Sequence, residues 1–320
     1  EYVDTSAVTG KPILTVSARE LLATDYYRKS PHSEKQWVKG RKQAGVDDFL
    51  SKQGMQAAIN EVFKDVDIYE NNISLFTNKF VSPLSRIGTG FYKYYLMDTL
   101  TVAGKPCVDL TFVPFNSESF GFTGHLYVML DSTYFVKRAV MNFPQKINLN
   151  FVDYMKIEQN FDRAEDGTRQ LLNESITTEF KLVDNSDGIY AKRDVYYRNY
   201  QYEPDDKALQ AFRKAEKVIE ETSASGYSEA YWDANRQVEV SKKETSVDKM
   251  MAQLRSYPVY FWTEKVLKVL FTGYIPAPKE KEPLFYIGMM NTTISGNTLE
   301  GVRSVSYTHL RAHETKANLV

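Results

Sequence analysis

Apolar residues recur at helical spacing near the start of the chain, after a charged opening stretch. We expect residues 1–45 to form a linker or a helical lead-in. Beyond it, apolar positions three or four residues apart predict one or two amphipathic helices over Val46–Lys64. The members of this stripe are Val46, Phe49, Leu50, Ala57, Ala58, Val62 and Phe63.

From Gly90 onward the apolar period changes to two, which is typical of half-buried strands. Turn residues, such as Ala103-Gly104-Lys105, separate the alternating runs. The predicted strands are Tyr92–Met97, Cys107–Val113, Gly124–Leu130, Tyr134–Phe143, Phe151–Phe161, Leu172–Val183 and Ile189–Tyr202. Short connections indicate an antiparallel meander with one solvent-exposed face. We expect residues 46–204 to form one domain, a curved, half-barrel-like sheet covered by the preceding helices.

The helical period returns after this sheet. Residues 205–275 read as a helical segment, with a first helix over Asp205–Glu221 and further helix over Tyr231–Glu244 and Val247–Leu254. A proline-rich linker over 276–283 follows. The loose alternation over 284–304 resembles the first strand of a truncated outer-membrane β-barrel. The predicted class is therefore α+β, dominated by strands.

The last stretch, Val305 to Val320, differs in origin from the rest. Val305–Thr315 is what one reading frame of a widely used sequencing-library adapter encodes, and Asn318–Val320 matches the adapter in the same frame. We therefore expect residues 305–320 not to be native. His309 and His313 have the (i, i+4) spacing of a shared metal site on a helix, but we discard them as ligands for this reason.

Composition excludes several classes of protein. The net charge is −1, so no basic surface for nucleic acid is indicated. The single cysteine, Cys107, allows no intrachain disulfide or cysteine-rich zinc site, and we expect it to be a small buried apolar residue. No apolar run approaches the roughly 20 residues of a membrane-spanning helix. The chain has 22 Tyr and 18 Phe, which favours strands with one ring face packed and the hydroxyl wet.

Few residues are candidates for chemistry, and each has a structural interpretation. Gly88-Thr89-Gly90 lacks the helix of a phosphate-binding loop, so we interpret it as a turn. Asp205-Asp206 suits the start of a helix, whereas Glu220-Glu221 reads as solvated surface. His32 lies in a polar loop, and His125 is expected on the wet face of its strand, opposite Leu126, Val128 and Leu130.

Several spaced motifs resemble the DUF5686 family of Bacteroidota proteins, whose members often carry a carboxypeptidase-regulatory-like domain. The resemblance extends from about Val46 to Arg303. The motifs are Asp65–Ile73, Phe80–Ser85, Phe91–Asp98, Val113–Phe115, Phe122–Gly124, Ile147–Phe151 and Leu299–Arg303. It implies a signal peptide, a small β-sandwich domain, the segment seen here and a C-terminal outer-membrane β-barrel entered at Leu299–Arg303. The family has no established catalytic residues to transfer.

We therefore expect a non-enzymatic module at the periplasmic face of the outer membrane, attached through the missing barrel. It would bind an unknown envelope protein or ligand on its curved sheet, with no catalytic, cofactor-binding or metal-ligating residue, no cofactor and no nucleic acid. One alternative is an envelope hydrolase acting on glycan or peptide, which needs clustered carboxylates or a base-paired nucleophile. Another is a lipid or lipoprotein carrier, which needs an unfilled apolar sheet face.

Overall fold

The structure is a computed structural model that describes most of the chain between residues 3 and 310. The described residues are 3–6, 10, 12–15, 17–45, 64–76, 78–144, 147, 149, 152–180, 189–236, 247–255, 274–276, 285–288, 293–297, 301–305 and 308–310. The helices predicted over Val46–Lys64 lie outside them, apart from Lys64, and so do residues 256–273 of the predicted helical segment. The structure therefore does not test the helical cover of the sheet.

Strands dominate the described residues, as predicted. The strands before residue 82 are β1 (Val3–Thr5), β2 (Pro12–Leu14), β3 (Ser17–Arg28), β4 (Ser33–Gly45), β5 (Asn72–Leu75) and β6 (Asn78–Val81). The short helix α1 (Gly88–Phe91) precedes β7 (Tyr92–Val102), β8 (Lys105–Pro114), β9 (Thr123–Met129), β10 (Val136–Asn142), β11 (Val152–Arg163), β12 (Arg169–Phe180) and β13 (Ile189–Tyr196). Next come α2 (Asp206–Arg213), β14 (Val218–Glu220), α3 (Glu229–Asn235) and α4 (Val247–Arg255).

The predicted meander is confirmed: β7 to β13 form one open, seven-stranded antiparallel sheet in sequence order. The turn between β7 and β8 is the two-residue loop Ala103-Gly104, whose φ angles of 47° and 75° are both positive. Such loops match the right-handed twist of paired strands. Gly124 is required on β9, because a Cβ there would lie 1.9 Å from the carbonyl oxygen of Val140 on β10.

One face of this sheet is packed by the segment that precedes it. Residues of 66–81, including the β5–β6 hairpin, meet the inward side chains of β7 to β12 in a single apolar core. Phe80 lies at its centre, stacked on Phe143 with ring centroids 4.8 Å apart. The buried Tyr92 hydroxyl accepts a hydrogen bond from the amide of Phe122 at 3.0 Å. The apolar face of the sheet is therefore filled where these residues pack.

A second sheet joins β3 and β4 in a long antiparallel hairpin, with β14 parallel to β4. The buried Lys35 of β4 donates to the carbonyl oxygens of Lys214 and Glu216, each at 2.7 Å, and to that of Ala215 at 3.3 Å. These carbonyls follow the end of α2, and their hydrogen bonds compensate for the removal of the Lys35 ammonium group from water. The chain is thereby held where β14 can pair.

Two local predictions were wrong for reasons that lie far away in sequence. Residues 17–45, predicted as a linker or helical lead-in, are the β3–β4 hairpin, which is held by partners such as Lys214 and Arg236. The helix predicted over Asp205–Glu221 ends at Arg213, and Val218–Glu220 is a strand. The hydrogen bonds of this stretch to Lys35 and to the edge of β4 stabilise a strand. These tertiary contacts override the helical preference of the local sequence.

Beyond α3, the described residues are fewer. The helix predicted over Tyr231–Glu244 is described only as Glu229–Asn235, and the one over Val247–Leu254 is confirmed as α4. The remaining strands are β15 (Tyr274–Pro276), β16 (Phe285–Gly288), β17 (Thr293–Asn297), β18 (Gly301–Val305) and β19 (Thr308–Leu310). No helix among the described residues is both long and apolar enough to span a membrane. The domain boundaries stay predictions.

Candidate functional site

The candidate site lies on the face of the seven-stranded sheet that points away from the core, which we call the outer face. Strand alternation sends Asp109 and Thr111 of β8, and His125 and Tyr127 of β9, to this face. Their even-numbered neighbours Leu110, Phe112 and Leu126 join the core. Register then places side chains of neighbouring strands side by side: Asp109 opposite Tyr127, Thr111 opposite His125, and Tyr127 opposite Arg138. A polar patch spans four strands in this way.

His125 is fixed by two residues of β8. Its Nδ1 lies 2.9 and 3.0 Å from the two carboxylate oxygens of Asp109 and 3.1 Å from Oγ1 of Thr111. Since Nδ1 faces a carboxylate, the ring donates from that nitrogen. Among the described residues no partner contacts Nε2, and the side chain is 41% exposed. His125 therefore offers Nε2 to solvent in a fixed orientation.

This geometry differs from a catalytic triad. In a triad the acid contacts one ring nitrogen and the nucleophilic hydroxyl contacts the other, so the ring accepts a proton from the hydroxyl. Here Asp109 and Thr111 contact the same nitrogen. The ring cannot serve as base for Thr111 while Nδ1 is held by Asp109.

The patch continues from His125 to the next two strands. The rings of His125 and Tyr127 are nearly parallel, 18° apart, with centroids separated by 6.2 Å, and the Arg138 guanidinium lies 5.7 Å from the centroid of Tyr127. Arg138 donates to Glu158 at 2.8 Å, and Nζ of Lys156 lies 3.1 Å from the same carboxylate. Burial opposes ionisation of Glu158, but the hydrogen bonds from Arg138 and Lys156 outweigh it and lower its pKa.

Amide side chains extend the outer face toward β12. Asn160 of β11 donates to Oδ1 of Asn173 at 2.7 Å. This bond uses the amide nitrogen of Asn160 and the amide oxygen of Asn173. The amide oxygen of Asn160 and the amide nitrogen of Asn173 stay available for other hydrogen bonds. We call the set Asp109, Thr111, His125, Tyr127, Arg138, Lys156, Glu158, Asn160 and Asn173 the outer polar patch.

A second polar cluster lies on the opposite face of the same sheet. Its Gln159 and Glu174 are buried, whereas its Asp65 side chain is 82% exposed. Glu174 of β12 is 3% exposed, and its Oε2 accepts from Nε2 of Gln159 at 2.5 Å. The same Gln159 nitrogen donates to the carbonyl of Val66 at 2.7 Å. Arg193 of β13 lies 3.7 Å from Glu174 and 2.6 Å from Asp65. These residues form the buried polar cluster, which holds the Asp65-Val66 segment on the sheet.

Burial controls the ionisation of this cluster. Removal of Glu174 from water raises its pKa from 4.5 to about 7, although Gln159 and Arg193 favour the carboxylate. Burial also raises the pKa of Tyr197, and the charges of Asp65 and Glu174 add to it. A carboxyl group with a pKa near 7 is suited to proton transfer, but Glu174 lies where solvent scarcely reaches it.

The residues singled out from sequence are scattered rather than gathered. His125 lies on the wet side of its strand, as predicted, whereas His32 is exposed and 3.8 Å from Glu34. Asp205 caps α2 by accepting from the amide of Ala208 at 2.7 Å. Cys107 is a buried free thiol, and burial raises its pKa. No group of three metal-ligating side chains occurs among the residues that the structure describes.

Glu220 and Glu221 are not simply solvated surface. Arg41 lies 3.5 Å from Glu220, and the indole nitrogen of Trp37 donates to Glu221 at 2.9 Å. Sequence reasoning also missed Asp109 and Thr111 as partners of His125. The predicted strands Cys107–Val113 and Gly124–Leu130 place all three residues out of phase with the core positions. The sequence could therefore predict that these residues share the outer face, but not the strand register that brings them into contact.

The comparison with protein families gives a match. The sequence model of a family of unknown function, DUF5686, matches residues 15–200. This range contains the β3–β4 hairpin, both polar clusters and all seven strands of the meander. No curated protein and no solved structure matches the chain.

Proposed function

The chain belongs to the DUF5686 family, and we propose that its seven-stranded sheet is a non-catalytic module that binds a polar ligand or a partner on the outer polar patch. The observation that carries this proposal is the fixed arrangement of partly exposed polar groups around His125 and Tyr127. Each is held by a neighbour before any ligand arrives, which lowers the entropy cost of binding.

Stability alone does not account for the outer polar patch. Partly exposed ion pairs such as Arg138–Glu158 typically contribute between 0 and about 1 kcal/mol. Other exposed polar surfaces would keep the protein equally soluble without such pairing. Recognition explains why an acid, a base, an imidazole and a phenol are oriented together at the centre of the sheet.

The non-catalytic part of the proposal is supported by the contacts of Nδ1 of His125. Because Asp109 and Thr111 share that nitrogen, no nucleophile is paired with a base there. A carrier of lipid is disfavoured by the packing of Phe80, Phe122 and Phe143 on the inner face. The hydrolase and the carrier therefore stay alternatives without an observation that favours them.

We also propose that the module lies in the cell envelope, at the periplasmic face of the outer membrane, next to a β-barrel. This part is supported by the resemblance of Leu299–Arg303 to the entry of such a barrel. The full gene should be recovered and expressed, and its product fractionated. Recovery with the outer membrane is expected, whereas recovery in the cytosol would contradict the proposal.

Binding on the outer polar patch can be tested with defined probes. We expect isothermal titration of the 320-residue chain to detect binding to at least one of cellohexaose, oligogalacturonate, a polyglutamate peptide and a polylysine peptide. The substitution Tyr127→Ala should weaken that binding about tenfold or more. Tyr134→Ala should leave it unchanged, because Tyr134 is a 76% exposed tyrosine in a turn outside the patch. The proposal fails if no probe binds, or if both variants weaken binding equally.

A further inference from the structure

The outer polar patch has a charge pattern that bears on the kind of ligand it would hold. Two acids, Asp109 and Glu158, stand with two bases, Arg138 and Lys156, and a histidine. Each acid contacts a base or the imidazole at 3.1 Å or less. A strongly charged ligand would have to displace one of these partners to gain another, so it would gain little net free energy.

The position of the patch disfavours an extended peptide. Strands β8 to β11 are interior strands, and each pairs with a neighbour on both sides. Their backbone donors and acceptors are used in the ladders, so a peptide cannot add as a further strand there. Recognition at this place must use side chains.

The side-chain groups left over are single donors and acceptors. They are Nε2 of His125, the Tyr127 hydroxyl, the amide oxygen of Asn160 and the amide nitrogen of Asn173, none of which has a partner within the described part of the chain. A sugar hydroxyl can donate one hydrogen bond and also accept hydrogen bonds, so it can pair with either kind of group. A hydroxyl-rich ligand needs no charge to satisfy this set.

Planar groups supply the other half of sugar recognition. The rings of His125 and Tyr127 are nearly parallel, with centroids 6.2 Å apart, and the Arg138 guanidinium lies over the Tyr127 ring, so three planar groups stand in a row on the outer face. The face of a pyranose ring is a layer of C–H groups, which is attracted to the negative face of an aromatic system. The amides of Asn160 and Asn173 extend this row toward β12, so the patch crosses five strands, or roughly 20 Å at the usual spacing of about 4.8 Å between strands.

We infer that the ligand of the outer polar patch is a neutral oligosaccharide, an inference that rests on the proposed binding function. Tyr127 supplies the stacking surface, and His125, Asn160 and Asn173 bond the hydroxyl groups. Arg138 holds the Tyr127 ring in place while its own charge is neutralised by Glu158.

The test is isothermal titration of the full chain with cellohexaose, xylohexaose, maltohexaose and chitohexaose, beside oligogalacturonate and the two charged peptides. At least one neutral hexasaccharide should bind, and its dissociation constant should change by less than about twofold between low and high salt, because no net charge is paired. Tyr127→Ala should weaken binding about tenfold or more, whereas Tyr127→Phe should retain most of it. Tyr134→Ala is the matched control and should bind as the wild type does.

Two different failures are distinguishable. If only oligogalacturonate or a charged peptide binds, and Tyr127→Ala abolishes it, the outer polar patch is a binding site but the ligand is not a neutral sugar. If no probe binds the wild-type chain, both the inference and the proposed function are overturned. Should Tyr127→Ala not fold, loss of binding in His125→Gln with an unchanged unfolding transition decides the same question, and full binding in that variant would count against the site.

Discussion

The two polar clusters of this chain use similar side chains on opposite faces of one sheet, yet their carboxyl groups differ in exposure and in the direction of their pKa shift. In the outer polar patch, Glu158 is a partly exposed carboxylate with a lowered pKa, paired with Arg138. In the buried polar cluster, Glu174 is a nearly inaccessible carboxyl with a raised pKa, held by Gln159 and near Arg193. Water accounts for the difference, because burial removes hydration that the same partners do not fully replace.

The comparison indicates a division of roles between the faces. The buried polar cluster attaches the Asp65-Val66 segment to β11 through Gln159 and to β13 through Arg193, so its bonds contribute to folding. The outer polar patch orients groups toward solvent and adds little to folding. If the two faces have these separate roles, substitutions on the buried side should change stability more than substitutions on the outer side.

The largest expected effect is on the pH dependence of stability. An unfolded glutamate titrates near 4.5, whereas Glu174 in the folded chain titrates near 7. Between these values the folded state binds a proton that the unfolded state does not, so the free energy of unfolding falls as pH rises through 7. Glu174 should account for a fall of about 3 kcal/mol between pH 4 and 8.

The substitution Glu174→Gln removes this titration. Urea unfolding of wild type and variant should therefore give curves that converge or cross as pH changes, with the variant relatively more stable above pH 7. Arg193, Asp65, Asp25 and Tyr197 face the same cluster and are present in both proteins, so their contributions largely cancel in the difference. Parallel curves across pH 5 to 8 would show that Glu174 titrates normally.

The next effect compares two adjacent residues of β11 that point to opposite faces. Gln159→Ala leaves the carbonyl of Val66 and the carboxyl of Glu174 without their donor, which should cost about 2 kcal/mol in the free energy of unfolding. Asn160→Ala removes a bond between two partly exposed side chains and should change stability by less than about 0.5 kcal/mol. Equal losses in the two variants would remove the distinction between the faces.

The smallest effect concerns the ion pair at the centre of the outer polar patch. Arg138→Met should lower the free energy of unfolding by less than about 1 kcal/mol, because the pair is partly solvated. It should also raise the pKa of Glu158, which loses its closest donor, and carboxylate titration by nuclear magnetic resonance would detect the change. A loss of several kcal/mol would mean that this face is structural after all.

Much of the seven-stranded sheet could be predicted from the sequence, because the alternation of apolar residues and the turn residues that define its strands are close together in the chain. The alternation of Leu110 and Phe112, and of Leu126 and Val128, fixes which side chains face the core, and Ala103-Gly104 marks the tight turn. The β3–β4 hairpin was missed because the bonds of Lys35 and Arg236 that hold it reach across about 180 to 216 positions in sequence. The start of the helix after Asp205 could be predicted, because its capping hydrogen bond joins residues three positions apart. Its end could not, because it depends on the distant Lys35.

The clusters were harder to predict than the fold that carries them. Asp109 and His125 meet because β8 and β9 pair in one register, and a shift by one residue would send them to opposite faces. By alternation Glu174 shares the face of Ile176 and Phe180, so the sequence indicates the direction of its side chain but not its burial. Only the packing of Val66, more than 100 positions away, makes it a buried carboxyl with a raised pKa.

The most direct test of the central claim measures binding and stability together in variants of the two faces. Wild type, Tyr127→Ala and Glu174→Gln would be titrated at pH 7 with the neutral hexasaccharide that binds best, and each would be unfolded in urea. We predict that Tyr127→Ala loses binding about tenfold with little change in stability, while Glu174→Gln changes the pH dependence of stability and binds as the wild type does. Loss of binding in Glu174→Gln with Tyr127→Ala unaffected would contradict the account, because it would place the ligand on the buried side of the sheet.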